Sequence, residues 1–310
     1  MKVIFLGTPD FSAVVLNEIV SSHHQVVGVV CQPDKPSGRG NKVLPCPAKI
    51  KAQQLNIPVY QFNKIRIDGV QTLKNLNADI MVTAAYGQIL SQEIIDICPY
   101  KIINVHGSLL PKYRGASPIQ QAIIDGMTET GITIMKTEAG VDTGDMLLSE
   151  SVKIDDEDTY GTLSEKLSLV GAKLCVKALD LIENKNANFL PQNNELATYT
   201  KMLKKEDTII NFNSDSKNII NLVRGLNPNP VAYFTLNGES FKVFCAKQLQ
   251  YSGNEKNGTI LKADCKNGLV IKTADGAVEI IEMTAPNSKR MLAKSYLNGK
   301  KIPVGSVCNE

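Results

Sequence analysis

Over its first 180 residues the chain alternates short β-branched runs with stretches of helical period, and that order leaves few folds open. The runs Val3–Leu6, Val26–Val30, Ile80–Thr83, Ile102–Val105, Ile132–Thr137 and Met146–Val152 read as strands. Strand, helix and strand in succession imply a mostly parallel sheet with helices on its faces, a Rossmann-like α/β arrangement. A long amphipathic pattern from Thr159 to Ile182 puts Leu163, Leu167, Val170, Leu174 and Leu181 on one side and Lys166, Lys173 and Lys177 elsewhere, and is expected to close this first domain. From Asn184 to Thr200 the composition turns to Asn, Gln and Pro without any period, as in a connector. Beyond it, Ser214 is a candidate N-cap for a helix reaching Arg224. Short strands follow, with hairpin signals at Asn237-Gly238, Asn267-Gly268 and Asp275-Gly276. The expected layout is a first domain over 1–189, a connector over 190–205, and a small OB-like β-barrel over 206–310.

A chain of 310 residues is long for one core and short for three, which agrees with two domains. Its 43% hydrophobic and 21% charged residues are ordinary for a globular protein, and no apolar run approaches the roughly 18 to 20 residues of a membrane span. The N-terminus enters a strand at once, without a cleavage site or an Arg-rich transit stretch, so a soluble cytoplasmic protein with no membrane partner is expected. No sustained heptad pattern appears, and a monomer is the default.

Seven cysteines, an odd number scattered without a Cys-x-x-Cys pair, argue for reduced thiols and against a zinc site. His23-His24 has no third ligand nearby in sequence, so both are expected to face solvent and no metal site is expected. The net charge of +3 hides an asymmetry. Residues 1–200 hold 18 Lys and Arg against 21 Asp and Glu, whereas 201–310 hold 16 against 10. A basic module suits a polyanionic partner, although a solvated Lys-rich surface accounts for the charge equally well.

Gly7-Thr8-Pro9 follows the first strand where a nucleotide-binding fold has its phosphate turn, but it is not Gly-x-Gly-x-x-Gly, and a tight strand-to-helix turn explains it better. The stretch from Asn104 to Pro111 says more. Asn104 and His106 alternate with Ile103 and Val105 at the end of a strand, so both polar side chains project from one face. In open α/β sheets, ligands sit at the carboxyl ends of strands. The other two of the chain's three histidines share one loop, which leaves His106 as the obvious imidazole for proton transfer, against the alternative of a loop hydrogen bond. Asp142 and Asp145 lie in a Gly-bounded turn, where either could simply cap backbone amides. A carboxylate beside an imidazole favours its charged form and holds its orientation, which is the reason to pair one of them with His106.

Asn104-Val105-His106, the run Ser108-Leu109-Leu110-Pro111 with Arg114-Gly115, and Asp142-Thr143-Gly144-Asp145 together resemble the folate-dependent formyltransferase superfamily. Within it the chain is most similar to the branch that acts on methionyl initiator tRNA. That similarity runs from Phe5-Leu6-Gly7-Thr8-Pro9-Asp10-Phe11 through residues 32–40 to Asn227-Pro228-Asn229-Pro230 and Lys289-Arg290-Met291. The resemblance implies a catalytic set of Asn104, His106 and Asp142, with Ser108, Leu109, Leu110 and Pro111 contacting folate. It implies 10-formyltetrahydrofolate as a cosubstrate, tetrahydrofolate as its product, and no tightly bound cofactor. The basic loop from Asp34 to Lys42 matches an insertion that meets the acceptor end of the tRNA, so Arg39 and Lys42 are the expected tRNA contacts. Asn229 and Gly107 depart from the family pattern, which has Trp at the first and commonly Ala or Pro at the second. A formyltransferase or formyl hydrolase acting on a small molecule, such as a glycinamide ribonucleotide or an amino sugar, explains the N-terminal half equally well, but leaves the 34–42 loop and the basic module without a role. A non-catalytic RNA-binding protein would use the α/β part only as a scaffold.

Overall fold

The computed structural model describes residues 1–37 and 42–310 and separates them into two compact units. The first holds 1–118, 129–153 and 164–200. Its strands are β1 (Lys2–Gly7), β2 (Gln25–Cys31), β3 (Lys35–Ser37), β4 (Lys42–Leu44), β5 (Val59–Gln61), β6 (Ile80–Ala84), β7 (Ile102–His106), β8 (Arg114–Gly115), β9 (Glu129–Lys136), β10 (Met146–Lys153) and β11 (Tyr199–Thr200). Seven of them form one sheet in the order β10-β9-β7-β6-β1-β2-β5. The five from β5 to β7 run parallel, and β9 and β10 pair antiparallel at the other edge. The nine residues between β9 and β10 suffice for an antiparallel return, where a parallel one would need a full crossover.

The central strands β1, β6 and β7 are buried on both faces, which their apolar runs require. On one face Ile4, Leu6, Val30 and Met81 pack with Ile65, Leu73, Ile94 and Tyr86. On the other, Gly171 of the helix Tyr160–Glu183 meets Val105 so closely that a Cβ there would lie 2.9 Å from Val105 Cγ1. The glycine brings the helix down onto the back of β7, which fixes the strand whose front carries Asn104 and His106. At the end of β1, a Cβ on Gly7 would come within 2.5 Å of Ser12 Cβ. That space lets the Ser12 hydroxyl donate to Ala84 O at 2.6 Å and accept from the Thr8 amide at 3.0 Å. Gly7-Thr8-Pro9 is therefore a strand-to-helix turn locked by a serine.

Residues 190–200, part of the expected 190–205 connector, are fastened to the first unit. Leu190 bridges Met146, and β11 pairs in parallel with β8. This fastening is backbone to backbone and long-range, so no local period announces it.

The second unit holds 119–128, 154–163 and 201–310. Strands β12 (Ala232–Leu236), β13 (Glu239–Leu249), β14 (Ile260–Asp264), β15 (Gly268–Lys272), β16 (Ala277–Thr284) and β17 (Met291–Leu292) make one antiparallel sheet. Its path is β12-β13-β16-β15-β14 with β17 beside β16, and among the described residues no ladder joins β12 to β14. The sheet curls over a core of Phe234, Phe241, Val243, Ile271 and Ile280, against which the helix Ser216–Leu226 sets Ile219, Val223 and Leu226. The expected cap at Ser214 is replaced. Asp215 occupies the N-cap without a side-chain bond, and Asp275 Oδ1 instead takes the Ser216 amide and hydroxyl, each at 2.8 Å. The three expected turns all fall between consecutive strands. Asn229 is exposed, so the missing tryptophan removes nothing from the core. Lys217, Lys242, Lys247, Lys262 and Lys266 are exposed as well. No helix among the described residues is long and apolar enough to cross a membrane.

Candidate active site

Strand β7 delivers Asn104 and His106 to its carboxyl end, as the alternation predicts. The Thr83 hydroxyl on β6 donates to Asn104 Oδ1 at 2.8 Å, so the amide presents its Nδ2 hydrogens outward. No protein acceptor among the described residues takes them. His106 is 5% exposed and donates from Nε2 to the carbonyl oxygen of Tyr113 at 3.0 Å. A carbonyl only accepts, so this contact places a proton on Nε2 and leaves Nδ1 as the ring nitrogen open to other partners.

Asp142 is the acidic residue that reaches the imidazole. Its Oδ2 lies 3.6 Å from His106 Nδ1, beyond hydrogen-bond length but within ion-pairing range. Asp145 turns away to Lys136, 3.6 Å from its Nζ. Asp142 sits at φ +49°, a left-handed conformation that Asp tolerates better than most residues, and its Oδ2 accepts the Gly115 amide at 2.7 Å. Gly115 itself has φ +103°, and a Cβ there would stand 2.5 Å from Thr200 O, so only glycine can offer that amide.

Two groups that sequence reasoning missed hold this turn. Gln192 donates from Nε2 to Asp142 O at 2.9 Å and Gly144 O at 2.7 Å. Its Oε1 in turn accepts Nε and an Nη of Arg114, at 3.0 and 2.8 Å. Arg114 is 1% exposed and also bonds Asn194 Oδ1 and the Tyr199 hydroxyl. Gln192 lies in a Pro-Gln-Asn-Asn run that carries no local signal of such a role.

The run from Ser108 to Pro111 turns directly after β7. Its Ser108 hydroxyl is fully buried and bonds Lys112 O at 2.7 Å, while Thr133 Oγ1 donates to Ser108 O and accepts the Leu110 amide. Leu109 packs over Gly131, and the Leu110–Pro111 peptide is cis. Lys42 opens β4, which pairs with β3, and Arg39 lies outside the described residues. At the base of that loop Asp34 accepts from Lys49 and Gln61, and these bonds hold its carboxyl below the usual carboxylate range.

The formyl transferase family model matches residues 1–179, and that family's C-terminal domain matches 202–301. The chain belongs to the formyl transferase family. A relative from Agathobacter rectalis, named methionyl-tRNA formyltransferase, is 45% identical over 307 residues, 99% of each chain. One of the same name from Acetivibrio thermocellus is 45% identical over 312 residues, the whole of both chains. Among solved structures, HypX from Aquifex aeolicus in complex with tetrahydrofolic acid superposes with a TM-score of 0.68 at 17% identity over 98% of this chain. This formyl transferase spans half the length of HypX, and at that identity the match speaks for the fold alone.

Proposed function

We propose that the chain transfers the formyl group of 10-formyltetrahydrofolate to the α-amine of methionyl initiator tRNA, giving N-formylmethionyl-tRNA for translation initiation and tetrahydrofolate. The carrying observation is the outward Asn104 amide beside a His106–Asp142 pair at the carboxyl end of a central strand. The acceptor is argued from relatives of that name along the full chain.

The amine must attack as the free base. An α-amino group titrates at roughly 7.7 to 8.0 and an ester lowers it, so a useful fraction is already neutral. Its lone pair bonds to the formyl carbon and the carbonyl electron pair moves onto oxygen. Asn104 Nδ2 donates to that oxyanion, and a proton on His106 Nδ1 is shared between it and Asp142. The His106 Nδ1 proton passes to the folate nitrogen as its bond to the formyl carbon breaks, and the proton lost by the amine replaces it on Nδ1. The 108–111 turn, rigid through Thr133, is the proposed folate wall. Because the Ser108 hydroxyl is already committed, contact there falls to Leu109, Pro111 and the backbone.

The defining measurement is formyl transfer to methionyl initiator tRNA in competition with glycinamide ribonucleotide and an amino sugar nucleotide. Transfer confined to the charged tRNA is expected. Transfer to a small acceptor would favour the small-molecule reading.

Thr83→Val is expected to lower turnover about fivefold, because a bond worth about 1 kcal/mol no longer orients the amide and 1.4 kcal/mol is a factor of ten in rate. Unaltered kcat in that variant would remove Thr83 from the site. For tRNA, Arg39, Lys42 and the basic residues of 201–310 are the proposed phosphate contacts. The logarithm of the binding constant should fall linearly with that of salt concentration, and Arg39→Ala should reduce the slope by about 1. A salt-independent affinity would refute the phosphate contacts.

A further inference from the structure

The paired histidines of the loop after the helix Asp10–Ser21 do not both face solvent. His24 is 4% exposed, and the fold brings the last turns of the helix Tyr160–Glu183 against both rings. His23 Nε2 lies 2.7 Å from Glu183 Oε2 and 3.8 Å from Asp180 Oδ1, while His24 Nε2 lies 3.1 Å from Asp180 Oδ1. One ligand atom from each of the four residues falls within 4.8 Å of all the others. Formyl transfer as proposed above uses none of them.

We infer that His23, His24, Asp180 and Glu183 form a binding site for a divalent first-row transition ion of the zinc class. Two imidazoles and two carboxylates are borderline donors that suit such an ion. A tetrahedral ion with bonds of about 2.0–2.1 Å holds its ligand atoms about 3.3 Å apart, so the three pairs above need to shift by about 0.6 Å or less and the other three by at most about 1.5 Å. The carboxylates come from positions one helical turn apart, which places both on one face.

The Met1 ammonium lies 3.2 Å from His24 Nδ1 and donates to Glu183 at 2.7 Å, so Nε2 is the ring nitrogen that faces Asp180. The ion would tie the 22–24 loop to a helix more than 150 residues away in sequence, a long-range staple within the first unit.

The test is Zn2+ titration of the full chain after chelation, with Co2+ absorption reporting the geometry. A single equivalent of Zn2+, a tetrahedral Co2+ spectrum and a metal-dependent rise in Tm are expected. His23→Ala, at an exposed position, should fold as the wild type does and weaken the affinity at least about tenfold, as should Glu183→Gln. Replacing the exposed Cys245 and Cys265 with Ser should change nothing. No uptake by the wild-type chain, equal affinity in His23→Ala, or loss of binding only in the cysteine variant would each overturn the proposal.

Discussion

Asn104→Ala is expected to lower turnover about 100- to 1,000-fold with the fold intact, since removal of one oxyanion donor costs that much in acyl transfer. The structural cost is small. Asn104 is half-buried and its hydrogen-bond partner among the described residues is the Thr83 hydroxyl, which retains Ile103 O as a second acceptor at 3.4 Å. The lost bond is worth about 1 kcal/mol, too little to unfold a domain of this size. Asn104→Asp sharpens the experiment, because it keeps the shape and replaces two donors with a charge that repels an oxyanion. It should be at least as impaired as the alanine variant. Steady-state kinetics with each substrate, beside thermal denaturation, separates the cases. A fall in kcat at unchanged Tm supports the role, and near wild-type turnover in either variant rejects it.

Legibility in the sequence followed the range of the interactions. The strands and the long helix were readable because burial imposes a local period, and β7 gave up Asn104 and His106 because side chains alternate along any strand. The Asp142–Asp145 choice was made only by the family resemblance, not by the local pattern of residues. It depends on a left-handed φ at Asp142 and on the Gly115 amide, set 27 residues earlier in the chain. The 190–200 segment looked like a connector because its polar residues bond to distant backbone and side chains, with no repeating face. His24 misled for the same reason, since its carboxylates lie on a helix 156 residues onward. Arg114 was visible only as part of a motif. Its burial, and the way it reaches Asp142 through Gln192, come from the tertiary structure alone.

That link makes Arg114→Met the second large effect. The guanidinium is buried, and among the described residues it bonds no carboxylate, only Gln192 Oε1, Asn194 Oδ1 and the Tyr199 hydroxyl. Two terms oppose each other. Methionine fills much of the space and removes the cost of burying a charge, which alone would be stabilising. Against this stand several hydrogen bonds to a charged group, worth about 1.5–3 kcal/mol each, and a half-buried Gln192 oxygen left without a donor. Asn194 is exposed and can turn to water, so most of the loss falls on Gln192. The losses win, by about 2–4 kcal/mol, which corresponds to a fall in Tm of about 5–15 °C. Because Gln192 also holds the carbonyls of Asp142 and Gly144, turnover should fall with stability, by about tenfold. A double-mutant cycle with Gln192→Ala isolates the contact, and a coupling of at least about 1 kcal/mol is expected. If Arg114→Met keeps the wild-type Tm and the cycle is additive, the guanidinium is not what fastens the 190–200 segment to the Asp142 turn.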